Sequence, residues 1–89
     1  MKKNLDHPMA WKRVSISVDG AISPESWAKP VDGAAHKCVI ATVPDGQVIV
    51  VMMPSTMTNI VTHDLADDER MYFRSVEEAK KYLRAEYGL

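Results

Sequence analysis

The sequence predicts a small α+β domain in which an antiparallel sheet of four to five strands packs against one C-terminal helix. Three features predict it: alternating apolar residues at 13–19, an apolar hairpin at 36–53, and a capped amphipathic helix at 75–87. A length of 89 residues fits one domain, which we place at 11–89. Residues 1–10 are polar and lack any period, so they predict a flexible N-terminal arm.

The first strand is predicted at residues 13–19. Val14, Ile16 and Val18 alternate with serines, and this period of two is typical of a strand with one face in water. Asp19-Gly20 then predicts a turn.

Residues 21–35 are expected to form a loop. Ser23 would cap one helical turn with Pro24 at its first position, and Pro30 would prevent a longer helix. Trp27 is expected to fold back over a sheet edge.

The hairpin is the strongest strand signal. Residues 36–43 and 48–53 flank Pro44-Asp45-Gly46-Gln47, in which proline presets one backbone angle and glycine tolerates a positive φ. Because the second strand is apolar on both faces, it belongs near the middle of a sheet. The sequence leaves undecided whether residues 59–62 form a further short strand. Residues 70–74 predict a last strand.

The helix is predicted to begin after Ser75, which with Glu78 forms a capping box, and to end at Gly88. Its apolar stripe consists of Val76, Ala79, Leu83 and Tyr87. One helix covers only part of a sheet, so the other face should be polar, covered by the 21–35 loop, or buried against another chain.

Composition favours an ordinary globular protein. Hydrophobic residues make up 46%, charged residues 26%, and the net charge is −1, which predicts no strong attraction to nucleic acid or anionic lipid. Cys38 is the single cysteine, and residues 1–8 lack the apolar core of a signal peptide, so we expect a cytoplasmic protein. The longest apolar run, residues 48–53, is too short to cross a membrane.

No catalytic, metal or cofactor motif stands out. His36 and Cys38 lie two apart on a strand, but a buried structural cysteine is the commoner reading. His63-Asp64 resembles the His-Asp pair of metal-dependent phosphohydrolases, yet the further ligands that a metal needs are missing. We therefore predict no catalytic residues, no metal and no cofactor. A small enzyme or ligand-binding domain using His36, Cys38 and His63 is one alternative.

Nucleic-acid binding through the C-terminal helix is a second alternative. Lys80, Lys81 and Arg84 could meet phosphates with help from Lys12, Arg13 and Trp11, but three glutamates on the helix cancel most of the field. An i,i+4 pair between Glu77 and Lys81 is the simpler interpretation.

The prediction for function is a protein–protein interaction module. Its partner, or a second copy in a homodimer, would dock on an uncovered sheet face or edge and on the 54–69 loop. The predicted contacts are Met57, Asn59, Asp64, Asp67, Asp68 and Glu69. Size and style resemble the small stand-alone proteins of phages and mobile elements. That resemblance rests on no motif and implies an inhibitor or accessory protein that acts by steric binding.

Overall fold

The computed structural model describes residues 10–89, apart from the side chain of Asp68. The predicted flexible arm, residues 1–10, therefore lies outside the described residues except for Ala10. Within the described part the strands are β1 Lys12–Arg13, β2 Ser17–Val18, β3 Ala21–Ile22, β4 Glu25–Val31, β5 His36–Thr42, β6 Val48–Pro54, β7 Asn59–Ile60 and β8 Tyr72–Phe73. In the same part of the chain, one α-helix, α1, spans Val76–Tyr87, and 3-10 turns lie at Asp32–Ala34, Thr62–Asp64 and Asp67–Glu69.

The main sheet has five antiparallel strands in the order β1-β4-β5-β6-β8. Its centre is β5, which pairs along its whole length with β4 on one side and with β6 on the other. A second sheet has the order β3-β2-β7, with β2 antiparallel to β3 and parallel to β7. The predicted α+β class with one C-terminal helix is confirmed, and the second sheet is an addition to it.

The hairpin confirms the turn chemistry that its sequence predicts. The amide of Val43 donates to the carbonyl of Gln47, and the amide of Gly46 donates to the carbonyl of Val43, each at 2.8 Å. Gly46 has a φ of 96°, which glycine adopts without steric cost. The carboxylate of Asp45 accepts from the amide of Gln47 at 3.0 Å and so closes the turn.

Helix α1 begins and ends where the sequence predicts. The hydroxyl of Ser75 accepts from the amide of Glu78 at 3.1 Å, and Gly88 ends the helix with a φ of 72°. The Glu78 carboxylate reaches back to the amide of Arg74, one residue before the predicted partner. These bonds satisfy backbone groups that a helix end would otherwise leave unpaired.

One face of the main sheet packs against α1. Because side chains alternate along a strand, Cys38 and Ile40 of β5 point toward the helix. Together with it they form a buried cluster of Cys38, Ile40, Val48, Phe73, Val76, Ala79 and Leu83. Tyr87, which the sequence places on the buried stripe, is 60% exposed.

The opposite face is covered by the second sheet and the segments around it. Its buried cluster includes Ile16, Val18, Val39, Ile49, Val51 and Ile60, with Leu65 packed against them. None of the three alternatives for this face is right as stated, because the face is apolar and is covered by a second sheet of which only β3 comes from the 21–35 segment. Short strands from two segments that are distant in sequence form the second layer. No local sequence pattern predicts that these segments pair with each other.

Residues 21–35 differ most from expectation, because Glu25–Val31 is the full-length strand β4 rather than a loop with a helical turn. Ser23 caps no helix, and its hydroxyl donates to the carbonyl of Thr42 instead. Pairing of seven residues with β5 outweighs the local turn signals. Pro30 is tolerated because β1 pairs only with Trp27 and Ala28, so β4 has one neighbour at the proline.

The predicted strand at 13–19 is divided between the two sheets. Residues 12–13 form β1 in the main sheet, and residues 17–18 form β2 in the second sheet. The predicted alternation still holds, because Ile16 and Val18 are buried with Val14 packed beside them. Trp27 does not fold over an edge. It lies within β4 on the helix side of the sheet.

Candidate functional site

Part of the β6 edge of the main sheet is unpaired. β8 pairs only with Val48 and Ile49, so residues 50–54 have β5 on one side and no strand on the other. Among residues 10–89, no backbone hydrogen bond from another segment reaches residues 50–53 on that side. A strand edge of this kind presents alternate N–H and C=O groups that another strand can pair with.

Two apolar grooves flank this edge, one on each face of the sheet. The connector groove, of about 180 Å³, faces the second sheet and is lined by Met52, Met53, Met57, Val61, Asp64 and Leu65. The helix groove, of about 130 Å³, lies beside α1 and is lined by Met52, Glu69, Met71, Phe73, Leu83 and Tyr87. We call residues 50–54 together with both grooves the methionine edge. Met52 belongs to both grooves and joins them.

Several large apolar side chains are exposed at the methionine edge. Met52 is 41% exposed, Met57 47% and Met71 42%, and Val61 and Tyr87 are exposed as well. Scattered exposed apolar residues are ordinary, but a contiguous group that lines two grooves is typical of a binding surface. Methionine suits such a surface because its unbranched side chain adapts to different partners.

The structure brings three of the predicted contact residues together. Met57, Asn59 and Asp64 all line the connector groove. The Asn59 side chain is half-buried and accepts a hydrogen bond from the amide of Gly20 at 3.3 Å, so part of its polar capacity holds the second sheet. Glu69 lines the helix groove instead. The methionine edge therefore includes predicted contact residues on both faces of the sheet.

An acidic connector, residues 61–71, runs from the second sheet to β8 past the methionine edge. Asp64 and Asp67 are exposed, whereas Glu69 is half-buried and accepts from the amide of Ala66 at 2.8 Å. The predicted contact Asp68 lies in the same 3-10 turn, with its side chain outside the description. The connector has a formal charge of −3, while the whole chain has −1.

Two hydrogen-bond systems hold the connector in place. Arg70 donates to the carbonyl oxygens of Leu65 and His63 at 3.1 and 3.3 Å. The Asp19 carboxylate accepts from the hydroxyl and the amide of Thr62 at 2.6 and 2.9 Å, and these two bonds lower the pKa of Asp19. The acidic side chains are thus displayed on a tethered segment.

On the opposite side of the sheet, much of the outer side of β4, which we call the protected edge, is already paired or cannot pair. Pro30 has no N–H to offer, β1 covers Trp27 and Ala28, and the amide of Val14 donates to the carbonyl of Ser26. The methionine edge therefore has the longer stretch of unpaired strand.

The protected edge is basic and aromatic. Cations lie over both indole rings: Arg13 and Lys80 at 5.3 and 4.5 Å from the centroid of Trp27, and Lys29 at 5.3 Å from that of Trp11. Such contacts stabilise exposed sites by about 0.5–1 kcal/mol each. The cations here therefore already have partners within the fold.

Lys29 is the buried member of this basic side. The residue is only 5% exposed, and its ammonium donates to the carbonyl of Leu89 at 2.5 Å. Burial and then the nearby Arg84 lower its pKa. Glu77 approaches Lys80 at 3.9 Å rather than the predicted Lys81.

The residues of the enzyme alternative have separate environments. Cys38 is fully buried, and burial raises the pKa of its thiol to about 12, so the nucleophilic thiolate is scarce at neutral pH. His36 is exposed and its Nδ1 lies 3.3 Å from the Asp32 carboxylate. His63 belongs to the connector. In the described part of the chain, no three histidine, cysteine or carboxylate side chains lie together as a metal site requires.

Sequence reasoning missed Met52, Met71, Val61 and Tyr87 as surface residues. Met52 lies in an apolar run that reads as buried on both faces, and its exposure follows from the early end of β8. No known protein family, curated protein or solved structure matches the chain. Within residues 10–89, no helix has the length and apolarity needed to span a membrane.

Proposed function

We propose that this chain is a small protein-binding module whose partner docks on the methionine edge. The observation that carries the proposal is the unpaired stretch of β6 at residues 50–54, flanked by exposed methionines on both faces. We place the docking surface at an edge rather than on a whole sheet face, because α1 packs on one face and the second sheet on the other.

The proposal takes the concrete form of an inhibitor or accessory protein of the phage or mobile-element type, acting in the cytoplasm by steric binding to a macromolecular partner. Its small size supports this form, and so does a surface rich in contact residues rather than in reactive ones. Burial of the Cys38 thiol argues against the alternative enzyme that would use it.

Substitution at Met57 tests the proposal. Met57 is 47% exposed in the connector groove, whereas Ile22 is 72% exposed on β3 of the second sheet and outside both grooves. Tagged wild-type, Met57→Lys and Ile22→Lys proteins would be used for capture from the native host. Mass spectrometry would identify the partner, and each affinity would then be measured with the purified partner.

We expect Met57→Lys to weaken the purified complex at least about tenfold, which corresponds to about 1.4 kcal/mol. Ile22→Lys should leave the affinity unchanged, since it removes a comparable apolar side chain elsewhere. Equal affinities for all three proteins would refute docking at the methionine edge. A loss with Ile22→Lys alone would move the binding surface to the second sheet.

A further inference from the structure

The backbone of β6 indicates how a partner would engage the methionine edge. Residues 50–54 continue the sheet beyond the point where β8 stops pairing, at Tyr72 opposite Ile49. An added strand of about five residues, about 17 Å long, would fill that place in line with β8. Backbone hydrogen bonds then supply affinity whatever the sequence of the partner.

The two grooves indicate which side chains the added strand would carry. Successive side chains of a strand point to opposite faces of the sheet, so alternate residues would enter the connector groove and the helix groove. Both grooves are lined mainly by apolar side chains, with Met52 between them. The matching segment is therefore apolar at consecutive positions, as in a buried strand.

Charge selects among the proteins that could supply such a segment. Asp64 lines the connector groove, Glu69 lines the helix groove, and the connector carries −3. A basic segment gains from this field, which speeds association and favours the correct partner. A second copy of this chain, paired edge to edge, would place two such connectors beside each other, and like charges oppose that arrangement.

We propose that the methionine edge binds an extended, basic, apolar-centred segment of a partner protein as an added β-strand. This inference rests on the proposed function and specifies its mode and its partner.

Synthetic peptides test the inference independently of the native partner. The probe is a peptide of about nine residues with Val-Ile-Val-Ile-Val between pairs of lysines. One matched peptide has glutamates in place of the lysines, and another has proline in place of the central valine. Binding is measured by fluorescence anisotropy, and amide hydrogen exchange is followed by NMR with and without peptide.

We expect the lysine peptide to bind at least about tenfold more tightly than the glutamate peptide at about 0.01 M salt, and the difference to shrink at about 1 M salt. The proline peptide should bind weakly because it cannot complete the ladder. Amide exchange within residues 50–53 should slow on binding, which docking in a groove alone would not produce.

Charge reversal supplies the matched variants. The double variant Asp64→Lys, Asp67→Lys should reverse the preference toward the glutamate peptide. Glu77→Lys, which changes a carboxylate on the opposite, basic side, should not. Both sets of substitutions are at exposed positions.

Each contrary result has a definite meaning. Equal binding of the lysine and glutamate peptides would overturn the basic partner, and unchanged amide exchange would overturn strand addition. Failure of every peptide to bind would overturn the inference while leaving the Met57→Lys experiment to judge the proposed function. Light scattering could instead show dimers, with slow amide exchange in β6 when no peptide is present. The molecule bound at the methionine edge would then be a second copy of this chain, which would also overturn the proposal.

Discussion

Replacing Ile16 by alanine tests whether the second sheet is a true structural layer. Ile16 is 1% exposed and belongs to the buried cluster on the face away from α1. Truncating a buried isoleucine typically costs about 2–5 kcal/mol, because the lost burial and the remaining cavity both count. A chain of this length has a total stability of about 4–13 kcal/mol, so the loss is a large fraction of it.

The assay is urea denaturation followed by circular dichroism. With a slope of about 2 kcal/mol per molar urea, the midpoint should fall by about 1–2.5 M. Ile22→Ala is the matched control, since the same substitution at a residue that is 72% exposed should change stability by less than about 0.5 kcal/mol. If Ile16→Ala costs as little as Ile22→Ala, the second sheet does not cover that face and the reasoning fails.

Two further predictions concern titratable groups. Cys38 should resist alkylation in the native protein at neutral pH and react once urea unfolds it, because burial raises the pKa of its thiol to about 12; fast native labelling, detected by mass spectrometry, would contradict its burial. Hydrogen bonds from Thr62 lower the pKa of Asp19 below its usual value of 3.8. The resulting stability is therefore present above that value and lost as pH falls through the lower folded pKa. Below about pH 4, the free energy of unfolding of Asp19→Asn should therefore fall less steeply with pH than that of the wild type. Urea denaturation at several pH values measures both curves. Parallel curves would show that the hydrogen bonds between Asp19 and Thr62 do not make stability depend on pH.

The elements that sequence predicts well are those made by neighbouring residues. The β5–β6 hairpin depends on a turn whose bonds join residues 43–47, and α1 depends on caps at Ser75 and Gly88. In both cases the stabilising partners lie within a few positions, so a local pattern contains them. The exposure of Met57 and Asp64 also follows from their positions in a polar loop.

Strand β4 shows where local reasoning fails. Ser23-Pro24 and Pro30 are strong turn signals, yet the segment between them pairs with β5 over seven residues. Whether a residue such as Trp27 belongs to a strand depends on a partner elsewhere in the chain, and its own sequence neighbours do not identify that partner.

The sequence by itself determined the α+β class, the hairpin, the limits of the helix and the acidic character of the connector. Only the tertiary structure decided that β2, β3 and β7 cover the second face and that β8 ends opposite Ile49. The physical reason is that caps and turns form between neighbours, whereas layers and open edges depend on pairings between distant segments. The methionine edge is a product of those pairings.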